Sequence, residues 1–244
     1  MYIHDRIRPK LPVGTTCFRW NGLFPLRDEN RSLSSPHITR VFIIINVVVF
    51  FFFWLSDSSF FLQSIWDYGM IPANIIKGEA LYTVFTSMFM HGGILHLAGN
   101  MLFLFVFGDN VEDNFGHGQY FIFYFLCGIA ASTVHILSIT TADEMFIPTV
   151  GASGAISGVL GAYILLYPRA RVLTLVFYFL VSIVRVPAFF FLGFWFIFQL
   201  LAGFLEPSSG VAYWAHIGGF VAGIVLALIL RRKKTHYGYE YMSR

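Results

Sequence analysis

The chain is poor in charge. Asp, Glu, Lys and Arg make up 12% of its 244 residues, about half of what a soluble domain carries, which argues against a water-solvated globular protein. Cysteine is nearly absent as well. Cys17 stands in a polar N-terminal stretch and Cys127 inside an apolar run, a separation that gives no basis for a disulfide or a paired thiol metal site. No metal and no cofactor are expected. Residues 1–37 hold no apolar core of signal-peptide length, so the first membrane span is expected to act as the targeting signal. The net charge of +3 is small and its meaning lies in its distribution; no nucleic-acid partner is expected.

What is present is apolar. Hydrophobic residues make up 57% of the chain and the mean hydropathy is +0.70, the composition of a polytopic membrane protein. Six stretches approach the ~20 residues a helix needs to cross the hydrocarbon core. They run from Ile38 to Leu55, Met88 to Phe107, Gln119 to Ile139, Val150 to Tyr167, Val186 to Leu205 and Ala212 to Leu230. A further apolar piece, Val172–Val184, reaches only about two-thirds of a span, and Arg185 and Pro187 separate it from the fifth span. It reads as a partly buried or interfacial segment. The expected fold is an all-α, polytopic six-helix transmembrane bundle over residues 38–230. A cytoplasmic N-terminal extension (1–37) precedes it, and a basic cytoplasmic tail (231–244) comes after it.

The placement of charge supports that count. Arg6, Arg8, Lys10, Arg19, Arg27, Arg31 and Arg40 precede the first span, and Arg169, Arg171 and Arg185 lie between the fourth and fifth. Arg231, Arg232, Lys233, Lys234 and Arg244 come after the sixth. In the alternate loops Lys77 is the sole basic residue, beside Asp57, Asp67, Glu79, Asp143, Glu144 and Glu206. The positive-inside rule then puts both termini in the cytoplasm. A seventh span at Val172–Val184 would send the Arg231–Lys234 cluster to the other side.

Against this background a few polar residues stand out. Ser153 sits in Gly151-Ala152-Ser153-Gly154 at the start of the fourth span, and His216 in Ala215-His216-Ile217-Gly218-Gly219 at the start of the sixth. Nucleophilic or ionisable groups at bilayer depth are costly, so each is a functional candidate. The topology brings both to the outer leaflet, together with His91, His96 and Asn100 of the second span. A serine and a histidine able to meet there point to acyl transfer. Small residues at 154 and 158, at 157 and 161, and at 215, 219 and 223 allow close helix approach in lipid. His135 and His117 carry no motif and read as structural.

Three segments carry a resemblance. Gly151-Ala152-Ser153-Gly154, the run from His91 through His96 to Asn100, and Ala215 to Gly219 are similar to those of the rhomboid family of intramembrane serine proteases. Further matches are Phe107 to Asp113, Tyr163 to Leu173 and Pro25 to Asn30, so the likeness extends from about residue 25 to 230. The resemblance implies a shorter fourth helix that holds the serine in a water-filled cavity. It implies Ser153 as nucleophile, His216 as general base, and His96, Asn100 and the Ser153 backbone N–H as the oxyanion hole. Gly151 and Gly154 frame the serine. His91 reads either as a hydrogen-bonded tether of the outer loop or as part of the site.

The implied partners are transmembrane-protein substrates and the lipid bilayer. The expected location is the plasma (inner) membrane of a prokaryote, with the site opening to the outer face. The rival reading is a non-catalytic rhomboid-like protein that binds and escorts transmembrane helices; such relatives generally lack the serine or the histidine. The sequence departs from the pattern at two places. Ser157 stands where some members carry an aromatic residue against the imidazole; its hydroxyl offers a hydrogen bond to orient His216, with packing alone as the alternative. Tyr82-Thr83 stands where some members have a Trp-Arg pair. No carboxylate completes a triad, so a Ser–His dyad is implied.

Overall fold

The structure is a computed structural model that describes residues 23–177, 181–206 and 209–230. Cys17, the basic residues before position 23 and the expected 231–244 tail lie outside the described residues. The chain opens with β1 (Leu23–Asp28) and continues through α1 (His37–Trp54). Three short helices come next, α2 (Ser58–Tyr68), α3 (Pro72–Ile76) and α4 (Thr83–Thr86). Two long helices, α5 (Ile94–Phe115) and α6 (His117–Ser138), then precede the shorter α7 (Ser153–Leu166). Strands β2 (Arg171–Phe177) and β3 (Val181–Pro187) lead into α8 (Ala188–Leu205), and α9 (Tyr213–Leu230) completes the bundle.

Among the described residues five helices, α1, α5, α6, α8 and α9, are long and apolar enough to cross a membrane. The sixth, α7, has 14 residues. At 1.5 Å per residue it is about 21 Å long, against a hydrocarbon core of about 30 Å. One of its ends therefore stops inside the bundle. Its middle, Gly154 to Tyr163, is buried throughout, the pattern of a helix surrounded by other helices. The second helix starts later and ends later than the apolar run suggested. Met88 to His91 form a short turn and loop, Gly92-Gly93 delay the helix to Ile94, and the polar run Gly108 to Asn114 continues it. A single residue, Gly116, separates α5 from α6, and its φ of +80° is the conformation that such an abrupt reversal asks of glycine.

The packing of α7 on α9 is backbone against backbone. A Cβ placed on Gly219 would lie 2.0 Å from the Gly154 carbonyl oxygen, and one on Gly223 would lie 2.0 Å from that of Gly158. Only hydrogen atoms fit in that seam, which is the physical content of the small-residue spacing.

The Val172–Val184 segment, expected to be partly buried or interfacial, is strand rather than helix. It supplies most of two strands in a three-stranded antiparallel sheet of order β1-β2-β3. Val172 opposes Val186 and Asp28, and Thr174 opposes Val184 and Pro25. Pro25, with no N–H to give, sits on the edge strand where the register shifts. The last fifteen residues of the expected extension, 23–37, thus join the packed structure. Arg185 bridges to Glu29 at 2.6 Å, and the Ala188 N–H donates to the Ala170 carbonyl at 2.7 Å where the sheet passes into α8.

A buried polar cluster fastens this sheet to the helices. Asp28 Oδ2 accepts from Tyr163 Oη at 2.5 Å and from Asn110 Nδ2 at 2.8 Å. Burial pushes the Asp28 carboxyl up to about 6, with the Tyr163 hydrogen bond opposing it. Nearby, the fully buried Glu112 carboxylate accepts the N–H groups of Ile38 and Thr39 at 2.8 Å each and the Thr39 hydroxyl at 2.7 Å. It caps a helix whose own N-cap residue, Pro36, provides no side-chain bond, and a negative charge there complements the helix dipole. The regions before α1, between α5 and α6, and between α7 and α8 meet at this end of the bundle. Arg27, Arg31, Arg169, Arg171 and Arg185 all belong to them.

Candidate active site

Ser153 is the first residue of α7, at the end of that helix remote from the sheet. Its position is set by the strand-like stretch before it. Met70 and Thr149 exchange backbone hydrogen bonds at 3.0 and 2.8 Å, and the Gly151 N–H donates to the Ser87 carbonyl at 2.9 Å. His135 ties α6 to the same stretch through Nε2 and the Thr149 hydroxyl at 3.0 Å, a structural role. Gly151 then turns the chain with φ +131°, and the helix starts. The first intrahelical bond, from the Ile156 N–H, is accepted by Ala152. The amides of Ser153, Gly154 and Ala155 precede it and point out of the helix end, where the macrodipole favours negative charge.

His216 enters from α9. Its Nε2 lies 2.8 Å from Ser153 Oγ, across 63 residues of sequence. The two residues expected to meet do meet. The imidazole is held from its far side by a residue the sequence reading missed: Gln199 of α8, whose Oε1 is 2.9 Å from His216 Nδ1. Trp195, one turn earlier on α8, stands against the ring with centroids 6.1 Å apart. It provides the aromatic wall that Ser157 cannot. The Ser157 hydroxyl donates to the Ser153 carbonyl at 2.6 Å, within its own helix. It does not orient His216. The signal for Gln199 was available, because a lone amide in a phenylalanine-rich span is costly without a partner.

His96 and Asn100 lie one turn apart on α5. The His96 ring borders Gly151: a Cβ at that glycine would stand 2.9 Å from its Cε1 and Nε2, and 3.5 Å from Ser153 Oγ. The gap between imidazole and serine hydroxyl is thus the space a side chain at 151 would fill. Asn100 is buried and its Nδ2 donates to the His96 carbonyl at 3.1 Å. His91 is buried with neither ring nitrogen hydrogen-bonded, and its ring meets His96 edge-on at 5.1 Å. His117 bonds Glu112 at 2.6 Å at the far end of the bundle, away from these residues.

A cavity of about 700 Å³ opens among these groups, lined by Ser153, His216, His96, Asn100, Gln199 and Trp195 among others. It is large enough for several residues of an extended peptide together with water. The arrangement can hold a hydroxyl against a neutral imidazole and present N–H donors beside it, the parts needed for nucleophilic attack on a carbonyl.

The Rhomboid domain model matches residues 78–233. Among curated proteins, "RHOMBOID-like protein 12, mitochondrial" of Arabidopsis thaliana is 29% identical over 221 residues, covering 85% of this chain and 62% of the relative. "Rhomboid protease GluP" of Bacillus subtilis is 29% identical over 203 residues, with 82% and 36% covered. "Rhomboid protein 1, mitochondrial" of Saccharomyces cerevisiae is 31% identical over 189 residues, with 74% and 49% covered. The chain therefore spans about a third to three-fifths of the length of these relatives. Two of the three carry mitochondrial names, so the expected prokaryotic plasma membrane finds no support in them. The matched domain and the five long apolar helices describe a multi-pass integral membrane protein. The match takes in Ser153, His216, His96 and Asn100, and the chain belongs to the rhomboid family.

Proposed function

We propose that the chain is an intramembrane serine endopeptidase that cleaves transmembrane proteins by a Ser–His dyad. The observation that carries this reading is the 2.8 Å contact between Ser153 Oγ and His216 Nε2 at a recessed helix N-terminus. Ser153 Oγ attacks the scissile carbonyl carbon while its proton passes to His216 Nε2, and the carbonyl electrons move onto oxygen. His96, Asn100 and the amides of the first turn of α7 stabilise that oxyanion. The Asn100 amide carries two N–H donors, one given to the His96 carbonyl and one left for the oxyanion. Collapse of the intermediate expels the amine, which takes the proton from the imidazolium. Water then hydrolyses the acyl-enzyme by the same steps in reverse order.

The substrate class comes from geometry. A helix hides its carbonyls in hydrogen bonds, so the cleaved segment must be locally extended, which favours transmembrane helices that unwind near one end. With both termini cytoplasmic by the charge distribution, the cavity opens to the opposite face.

The test is Ser153→Ala in reconstituted membranes with a transmembrane substrate, together with a fluorophosphonate probe. Wild type cleaves and is labelled at Ser153; the variant folds, does neither, and loses only one oxygen among small neighbours. Cleavage by the variant at the wild-type rate sinks the assignment. A wild type that binds transmembrane helices yet neither cleaves nor is labelled belongs to the non-catalytic class instead.

A further inference from the structure

We infer that Gln199 is a positioning residue, holding His216 in the tautomer whose Nε2 lone pair faces Ser153; this rests on the proposed dyad. Gln199 is the sole amide side chain in α8, whose other residues are aliphatic or aromatic, and it is buried. Its Oε1 accepts from His216 Nδ1 at 2.9 Å. A carbonyl oxygen can only accept, so that contact requires the proton on Nδ1. A neutral imidazole protonated at Nδ1 presents a bare Nε2, and Nε2 is the atom 2.8 Å from Ser153 Oγ. In the opposite tautomer an N–H would face the serine and could take no proton from it.

The dyad thus has a third member from a third helix. Gln199 and Trp195 are four residues apart on one face of α8, so a single helix fixes the imidazole by one hydrogen bond and one ring contact. The titratable groups around His216 are Ser153 of α7, His96 of α5, His135 of α6 and Tyr213 of α9, with Asp143 and Glu144 lining the same cavity.

The experiment uses the full chain in liposomes with a transmembrane substrate and compares wild type, Gln199→Leu, Gln199→Glu and Ser153→Ala. Leucine keeps the bulk and removes the acceptor, whereas glutamate keeps an acceptor. Gln199→Leu should lower kcat about tenfold, the weight of one neutral hydrogen bond, with KM changed less than about twofold. Its acid limb should move to lower pH, because the imidazolium loses an acceptor. Gln199→Glu should recover most of the loss in kcat. A folded Gln199→Leu protein with wild-type kcat and pH profile overturns the inference, as does a Gln199→Glu protein no better than the leucine variant. An active Ser153→Ala protein overturns instead the proposed function on which this rests. An inactive Ser153→Ala protein beside an unaffected Gln199→Leu protein refutes only the role of Gln199.

Discussion

Gly219→Ala is the most demanding test of the α7–α9 seam. The added methyl would lie 2.0 Å from the Gly154 carbonyl oxygen, closer than an ordinary contact by about 1.4 Å. The obstacle is backbone, which cannot rotate away as a side chain can. The helices must separate by roughly an ångström, and the 2.8 Å Ser153–His216 contact then exceeds hydrogen-bond reach. Overpacking of this kind costs about 1–3 kcal/mol, while the better helix propensity of alanine returns at most about 1 kcal/mol. A displacement of about 1 Å at a catalytic pair costs on the order of 10²-fold in rate. Gly193→Ala is the matched control, because a Cβ there meets nothing within 4 Å. Cleavage in liposomes and thermal unfolding in detergent should show Gly219→Ala slow and destabilised, and Gly193→Ala unchanged or slightly stabilised. A Gly219→Ala protein with wild-type kcat would show that the seam does not set the distance between the pair.

Asn100→Ala should lower kcat by up to about 10²-fold with little change in KM, and His96→Ala similarly, if both serve the oxyanion; lower melting with normal kcat would mark them as packing residues. Activity should fall on the acid side as His216 takes up a proton, and His216→Ala should abolish cleavage; a variant retaining activity and the same acid limb contradicts the base assignment. Asp28 gives a stability effect of opposite sense from the usual carboxylate. Its folded-state carboxyl titrates at about 6, above the ordinary 3.8, so its contribution is complete below about pH 4 and is lost as pH rises through 6. Relative to Asp28→Asn, the wild type should therefore lose thermal stability between about pH 4 and pH 6, and parallel melting curves across that range would refute the assignment.

Much of the site was legible because polar residues in an apolar chain are few. Ser153, His216, His96 and Asn100 each stood out against spans with almost nothing else to bond. Alternation of the spans across the membrane then assigned all four to one end. Gln199 met the same criterion but lacked a neighbouring motif, and pairing it with His216 required knowing which face of α8 turns inward. The sheet was missed for a different reason. Val172–Val184 was measured against the length of a helix, although Val172, Thr174, Val176, Val181, Ile183 and Val184 are β-branched residues that favour strands. Its partner β1 lies some 145 residues away and contains a proline, and no local pattern announces such a pairing. The sequence left two readings of Ser157 open, because a serine inside a helix also has an acceptor close at hand, the carbonyl four residues back.

The order in which the pair is completed along the chain has a consequence during synthesis. Ser153 is made first and His216 comes 63 residues later, after α8 and its glutamine. While α9 is still in the ribosome, α7 carries a serine with no base beside it, and the Gly154 and Gly158 carbonyls lack the Gly219 and Gly223 backbone that later covers them. If the pair is the proposed dyad, a nascent chain surrounded by other newly inserted helices is inert toward them. On the proposed function, proteolytic competence arrives in one step, when the helix bearing His216 docks, so the same contact that completes the fold also arms it.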